Sequence, residues 1–115
     1  MLKYQFRFHG HGSLGYLYRR GKSVRVRRAS LRYVSNLRRP YGRVAVIVGK
    51  KVSKSAVVRN RIRRRVFEVV RTHHEHIRPQ FDVAITIFSI EYATMPADEL
   101  KTEILMLFRD AGLYR

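Results

Sequence analysis

Between Ala56 and Thr72 guanidinium and aliphatic side chains interleave at a spacing that only one kind of local structure satisfies. At about 100° per residue, the period of an α-helix, Val58, Ile62, Val66, Val69, Val70 and His73 share one face, while Asn60, Arg61, Arg64 and Arg71 share the other. Such a helix must lay its apolar side on something, so the rest of the chain has to supply a layer beneath it. Solvated helix faces normally mix charges of both signs for i,i+4 pairing. Here Glu68 is the one counter-charge, and the wet side fits a polyanion better than water.

The charge of the whole chain points the same way. Of its 25 Lys and Arg, 20 lie in residues 1–67, where there is no acidic residue; all eight Asp and Glu lie at or after Glu68. A net charge of +17 opposes compaction through self-repulsion unless a polyanion or counterions neutralise it, and nucleic acid is the partner this favours. An anionic membrane is the rival, but the sequence shows no apolar span of transmembrane length, no signal-peptide core and no lipidation motif. The chain has no cysteine, which removes disulfides, thiol nucleophiles and cysteine metal sites and fits a cytoplasmic protein. Its 115 residues, 45% of them apolar, suit one domain with a modest core.

Along the chain, residues 1–12 mix aromatic and basic residues with His9-Gly10-His11-Gly12 and show no period, which predicts an extended arm before a single domain at 13–115. Ser13 as N-cap, Leu14 to Arg20 and Gly21 as a C′ glycine predict a short first helix. Residues 24–37 alternate, with Ala29, Leu31, Tyr33 and Leu37 on one side and Arg28, Ser30, Arg32 and Asn36 on the other: a strand, split by a bend near Arg27-Arg28. Arg39-Pro40-Tyr41-Gly42 reads as a hairpin turn into Val44–Val48, apolar on both faces and so expected at the centre of the sheet. The basic link from Gly49 to Lys54 leads to the arginine helix, with Ser55 as its cap. Pro79 breaks the chain, Phe81–Phe88 forms a strand parallel to 44–48, and Thr94–Gly112 forms a last helix with Leu100, Ile104, Leu107, Phe108 and Ala111 as its buried stripe. The order α-β-β-β-α-β-α makes an α+β two-layer sandwich of helices on a sheet.

No active site emerges from the residue pattern. Asp98, Glu99 and Glu103 have a helix-start explanation; there is no phosphate loop, no serine with an evident base and no ligand set for catalytic zinc. His9 with His11, and His73, His74 and His76 with Glu75, fall short of a metal site; local structure at a helix end accounts for the second group. Tyr16, Tyr18 and Tyr33, set among arginines, fit either core packing or stacking on unpaired bases. A protein-only nuclease is disfavoured, whereas an RNA-binding structural protein of the ribosome fits charge and fold.

Gly49-Lys50-Lys51 followed by Ala56-Val57-Val58-Arg59-Asn60-Arg61-Ile62-Arg63-Arg64 resembles the Arg-Asn-Arg signature of the protein subunit of bacterial ribonuclease P. The likeness continues in Arg7-Phe8, Tyr18-Arg19-Arg20-Gly21-Lys22-Ser23, Arg43-Val44-Ala45-Val46, Asp82-Val83-Ala84-Ile85, and Leu107-Phe108-Arg109 with Leu113-Tyr114. Leu14 stands where the family often has Phe, and Gly15 and the His-Gly arm depart from the usual lysine-rich beginning.

The resemblance implies a cofactor of a catalytic RNA. In that family the RNA holds Mg²⁺ and hydrolyses the bond joining the 5′ leader to mature tRNA, and the protein is a monomer within the ribonucleoprotein. By position, Lys50, Lys51, Lys54, Arg59, Asn60, Arg61, Arg63, Arg64 and Arg65 would face the catalytic RNA. Leu14, Tyr18, Leu31 and Tyr33 would line a cleft for the leader between the first helix and the sheet. The resemblance also implies the fold of the second domain of a small-subunit ribosomal protein, with a left-handed β-α-β crossover where general topology favours a right-handed one.

Overall fold

The computed structural model describes residues 11–36 and 42–115, and side chains from Gly15 onward within the first of these segments. Residues 1–10 of the arm expected at 1–12, Leu37, the turn residues Arg39, Pro40 and Tyr41, and the side chain of Leu14 lie outside the described residues.

Among the described residues four strands and three α-helices make up the domain: α1 (His11–Arg20), β1 (Lys22–Arg25), β2 (Ala29–Ser35), β3 (Arg43–Val48), α2 (Ala56–Thr72), β4 (Phe81–Ile87) and α3 (Ala97–Asp110). The first helix starts at His11, two residues before the predicted cap. It stops at Gly21 because the backbone there passes too close for a side chain: a Cβ would lie 2.4 Å from the Leu17 carbonyl oxygen and 2.9 Å from that of Tyr33. Strands β1 and β2 are split at Arg27-Arg28 as the alternation predicts. Ser55 caps α2, its hydroxyl accepting from the Val58 N–H at 3.3 Å. At the end of α3 Gly112 takes φ 74°, and the turned-back chain lets Leu113 N–H donate to Phe108 O at 2.8 Å.

The strand order is β1-β2-β4-β3. Here two expectations fail. Strands β2 and β3 form no hairpin; β4 enters between them, antiparallel to β2 (Ala29 opposite Ile87, Ser35 opposite Phe81) and parallel to β3 (Val44 opposite Val83). Among the described residues β3 is therefore an edge strand, not a central one. Its apolar residues are buried on both faces because helices lie on both: Val44, Val46 and Val48 meet the α2 side, and Ala45 meets α1. The parallel β3-α2-β4 unit is as expected.

The main core fills the layer between the sheet and α2 with α3. Val83, Ile85 and Ile87 of β4, Ala29 and Leu31 of β2, and the even-numbered valines of β3 face Ile62, Val66, Phe67, Val69 and Val70 of α2 and Leu100, Ile104, Leu107 and Phe108 of α3. Ile62, Val66 and Val70 have no exposed surface, and burying an aliphatic side chain of this size stabilises the fold by roughly 1.5–3 kcal/mol. A smaller cluster forms on the opposite face, where Leu17 of α1 sits on Ala45 and Ala84 with Val34 and Ile47 around it. Small residues at 45 and 84 let α1 approach the sheet closely.

Candidate nucleic-acid interface

One side of the molecule is the outward face of α2 and the loop before it. Lys50, Lys51, Lys54, Asn60, Arg61 and Arg64 are exposed there, and Arg59, Arg63 and Arg65 are half-buried. These arginines serve the fold as well as the surface. Arg59 Nη1 donates to Ser53 O at 2.9 Å and Lys54 O at 3.0 Å, which pins the lysine loop over the start of the helix. Arg63 donates to Asn60 Oδ1 at 2.6 Å and to Val48 O at 3.2 Å, fixing α2 to the end of β3. Arg61 Nε donates to Ala93 O at 2.6 Å, and Arg65 donates to Tyr92 O at 2.7 Å and to Met95 O. These last bonds hold the single turn of 3-10 helix at Ile90–Ala93, which no periodicity announced.

Every one of these partners is neutral, so the hydrogen bonds orient the guanidinium groups without cancelling their charge. Arg64 makes no such contact among the described residues and leaves its whole donor fork to solvent. The one ion pair within α2 is Arg71 with Glu68, whose carboxyl the bonded guanidinium holds below the usual carboxylate range.

The second surface is the face of the sheet that α1 crosses. Period-two alternation and the observed register put Ser23 and Arg25 of β1, Ser30, Arg32 and Val34 of β2, and Ala84 and Thr86 of β4 on it. Leu17 covers the Ala45–Ala84 end; Arg25, Ser30 and Thr86 remain open to varying degrees. At the α1 edge Arg32 Nη1 donates to Tyr18 O at 3.2 Å, and its guanidinium lies 5.1 Å from the centre of the Tyr18 ring. Tyr18 is 44% exposed, so the ring's other surface is available.

This geometry corrects two of the four cleft assignments. Leu31 is wholly buried on the opposite face of the sheet, beneath α2 and α3, and Tyr33 points the same way, edge-on to Phe81 with ring centres 6.2 Å apart. Their neighbour Arg32 is the residue beside Tyr18. A shift of one position along a strand changes face, and alternation alone does not say which face α1 covers. The signal available was chemical: an Arg with two Ser on the side opposite the apolar residues.

Several carboxylates are engaged in ion pairs and hydrogen bonds within the fold. Asp82, 5% exposed, accepts from Arg43 Nε at 3.1 Å and Nη2 at 2.7 Å and from Asn36 Nδ2 at 2.9 Å. Arg28 bridges Glu91 and Glu103 at 3.0 and 2.9 Å, and the Tyr92 hydroxyl donates to Glu103 at 3.0 Å. His73 bonds Val69 O at 3.0 Å, and His76 stacks on Tyr114. Among the described residues no three His, Asp or Glu side chains converge to hold a metal ion.

A family model for ribonuclease P matches residues 2–112. The chain belongs to the ribonuclease P protein family. Similar members include the ribonuclease P protein component of Geobacillus sp. (strain WCH70), 32% identical over 96% of this chain and 94% of the relative, and that of Synechocystis sp. (strain ATCC 27184 / PCC 6803 / Kazusa), 30% identical over 84% and 77%. The fold matches the RNase P protein of Staphylococcus aureus with a TM-score of 0.84 at 22% identity, covering 96% of this chain and 98% of that one. It matches the protein from Thermotoga maritima with a TM-score of 0.81 at 21% identity, covering 90% and 96%. Membership of this family makes the chain the protein component of an endoribonuclease that also contains an RNA subunit. Among the described residues, no helix is long and apolar enough to cross a membrane.

Proposed function

We propose that this ribonuclease P protein binds the catalytic RNA through the α2 side and the 5′ leader of precursor tRNA through the α1 side, and carries no catalytic group itself. The observation that supports this division is that two cationic surfaces occupy opposite faces of one sheet. Lys50, Lys51, Lys54, Asn60 and Arg64, with the outward parts of Arg59, Arg61, Arg63 and Arg65, form a broad cationic patch suited to phosphates of a folded RNA. Tyr18 with Arg32 forms a narrower site in which a ring and a guanidinium present flat surfaces to an unpaired base. Mg²⁺ and the attacking water then belong to the RNA, and the protein's part is to hold the two RNAs and screen their mutual repulsion.

The test is reconstitution. The isolated chain should leave precursor tRNA intact; added to a bacterial ribonuclease P RNA at low Mg²⁺, it should restore cleavage at the mature 5′ end. Cleavage by the protein alone would sink this reading, as would association with ribosomes and no stimulation of processing.

A further inference from the structure

The α1-side face of the sheet ends in an aromatic that neither periodicity nor resemblance singled out. Phe88 follows the last residue of β4, on the same face as Ala84 and Thr86, and is 45% exposed. Its backbone is held in strand position by its N–H, which donates to Arg28 O at 2.8 Å. The guanidinium of Arg25, from β1 across the sheet, lies 4.5 Å from the centre of its ring. A phenylalanine at the end of a strand is usually drawn into a core; here it is left out in water with a cation on one side.

This repeats the Tyr18–Arg32 arrangement. Each pair has an exposed ring and an arginine from the β1–β2 ribbon, and the register fixes their separation. Arg32 stands opposite Ala84, and Phe88 comes four residues further along β4, roughly 13 Å at the rise of a strand. Stacked bases are spaced by about 3.4 Å, so the two pairs cannot serve neighbouring stacked bases. Ser30 and Thr86 lie opposite one another between the pairs. The near carboxylate, Glu91, is bound by Arg28 at 3.0 Å, which leaves Arg25 and Arg27 to set the local sign.

We propose that Phe88 and Arg25 form a second base-stacking site, which takes an unpaired leader nucleotide separate from the one held at Tyr18 and Arg32. Both sites together extend the protein's grip along a single strand whatever its sequence, because every base has a flat face. The proposal rests on the leader-binding reading above.

The experiment uses the holoenzyme reconstituted with ribonuclease P RNA and a series of precursor tRNAs whose leaders grow one nucleotide at a time. Phe88→Ala should weaken precursor binding about 5-fold or more, only above a threshold leader length, and Phe88→Tyr should restore it. Tyr18→Ala should lose affinity from a different threshold. The chain has no tryptophan, so Phe88→Trp also gives a single indole whose emission should be quenched by long leaders and not by short ones. A Phe88→Ala penalty equal at all lengths and on mature tRNA, or absent while Tyr18→Ala is impaired, overturns the second site. If wild-type affinity does not depend on the leader at all, the leader-binding reading itself falls.

Discussion

Arg43 and Asp82 stand directly opposite one another in the parallel β3–β4 pair and are joined by two nearly parallel hydrogen bonds, Nε to Oδ1 at 3.1 Å and Nη2 to Oδ2 at 2.7 Å. Asn36, just past the end of β2, donates to the same carboxylate, so one buried anion ties three strands at one end of the sheet. Removing one partner of a buried pair leaves the other charge uncompensated. Arg43→Met, which leaves the buried Asp82 carboxylate without its guanidinium, should therefore cost about 3–5 kcal/mol in denaturant unfolding, whereas adding Asp82→Leu should recover most of that loss. Equal destabilisation by the single and double variants would show that the pair contributes attraction beyond its own desolvation.

The arginines of α2 should separate into two classes. Arg64→Ala removes no internal bond, so stability should stay within about 0.5 kcal/mol of wild type, while RNA affinity falls and the slope of log K against log salt flattens by about 0.7–0.9. Arg65→Ala strips the Tyr92 and Met95 carbonyls of a charged donor and should cost about 1.5–3 kcal/mol of stability. Unfolding curves and salt-titrated binding of both variants decide it; identical unfolding of the two would be a failure.

The two faces of β2 give a sharp contrast. Leu31→Ala should cost about 2–5 kcal/mol of stability and leave the preference for leader-bearing tRNA in place among the molecules that fold. Arg32→Ala should do the reverse, lowering that preference with a stability change of about 1 kcal/mol or less. Competition binding of precursor against mature tRNA reads the first quantity and thermal unfolding the second.

Tyr92 should mark the alkaline limit of stability. Burial first, then its bond to Glu103, raises the phenol above its ordinary value of 10.0. Below that value the phenol keeps its proton folded or unfolded, and its contribution is fully present. As pH rises past about 10 the unfolded chain ionises while the folded one holds its proton, so stability is lost toward the folded pKa. Tyr92→Phe should be about 1 kcal/mol less stable near neutrality, through the lost Glu103 bond, and should lose less on going from about pH 9 to about pH 11. Denaturation midpoints that run parallel for the two proteins would refute this.

Much of the architecture was open to reading because helices announce themselves locally. Ser55, the spacing of Ile62, Val66 and Val70, and Gly112 mark element ends and buried faces through contacts a few residues apart. Strand neighbours are not local. Sequential strands pair about two-thirds of the time, and nothing in Val44–Val48 says that Phe81–Ile87 will come between it and β2. Its double-sided burial was correctly visible, but the cause was helices on both faces and not strands on both edges. The same limit explains Leu31 and Tyr33: alternation told which residues share a face, not which face α1 would lie on. The arginines show a third limit. A helical wheel gives the direction in which a side chain leaves the backbone, whereas a guanidinium on a long flexible stem can return to a carbonyl, as Arg61 and Arg65 do.

The place of β4 bears on how the protein comes into being during synthesis. Until residues 81–87 have left the ribosome β2 lacks its second neighbour and β3, among the described residues, has no strand neighbour at all, and the carboxylates that engage Arg28 and Arg43 all arrive at or after Asp82. Until then the emerging chain carries an almost unopposed positive charge, cannot close its sheet, and does so within a machine built largely of RNA. Fragments ending before Phe81 should therefore remain sensitive to protease, while the full chain is protected. Co-translational folding has little to work with for two-thirds of this sequence, and the domain sets as one unit once a single seven-residue strand slides into the gap.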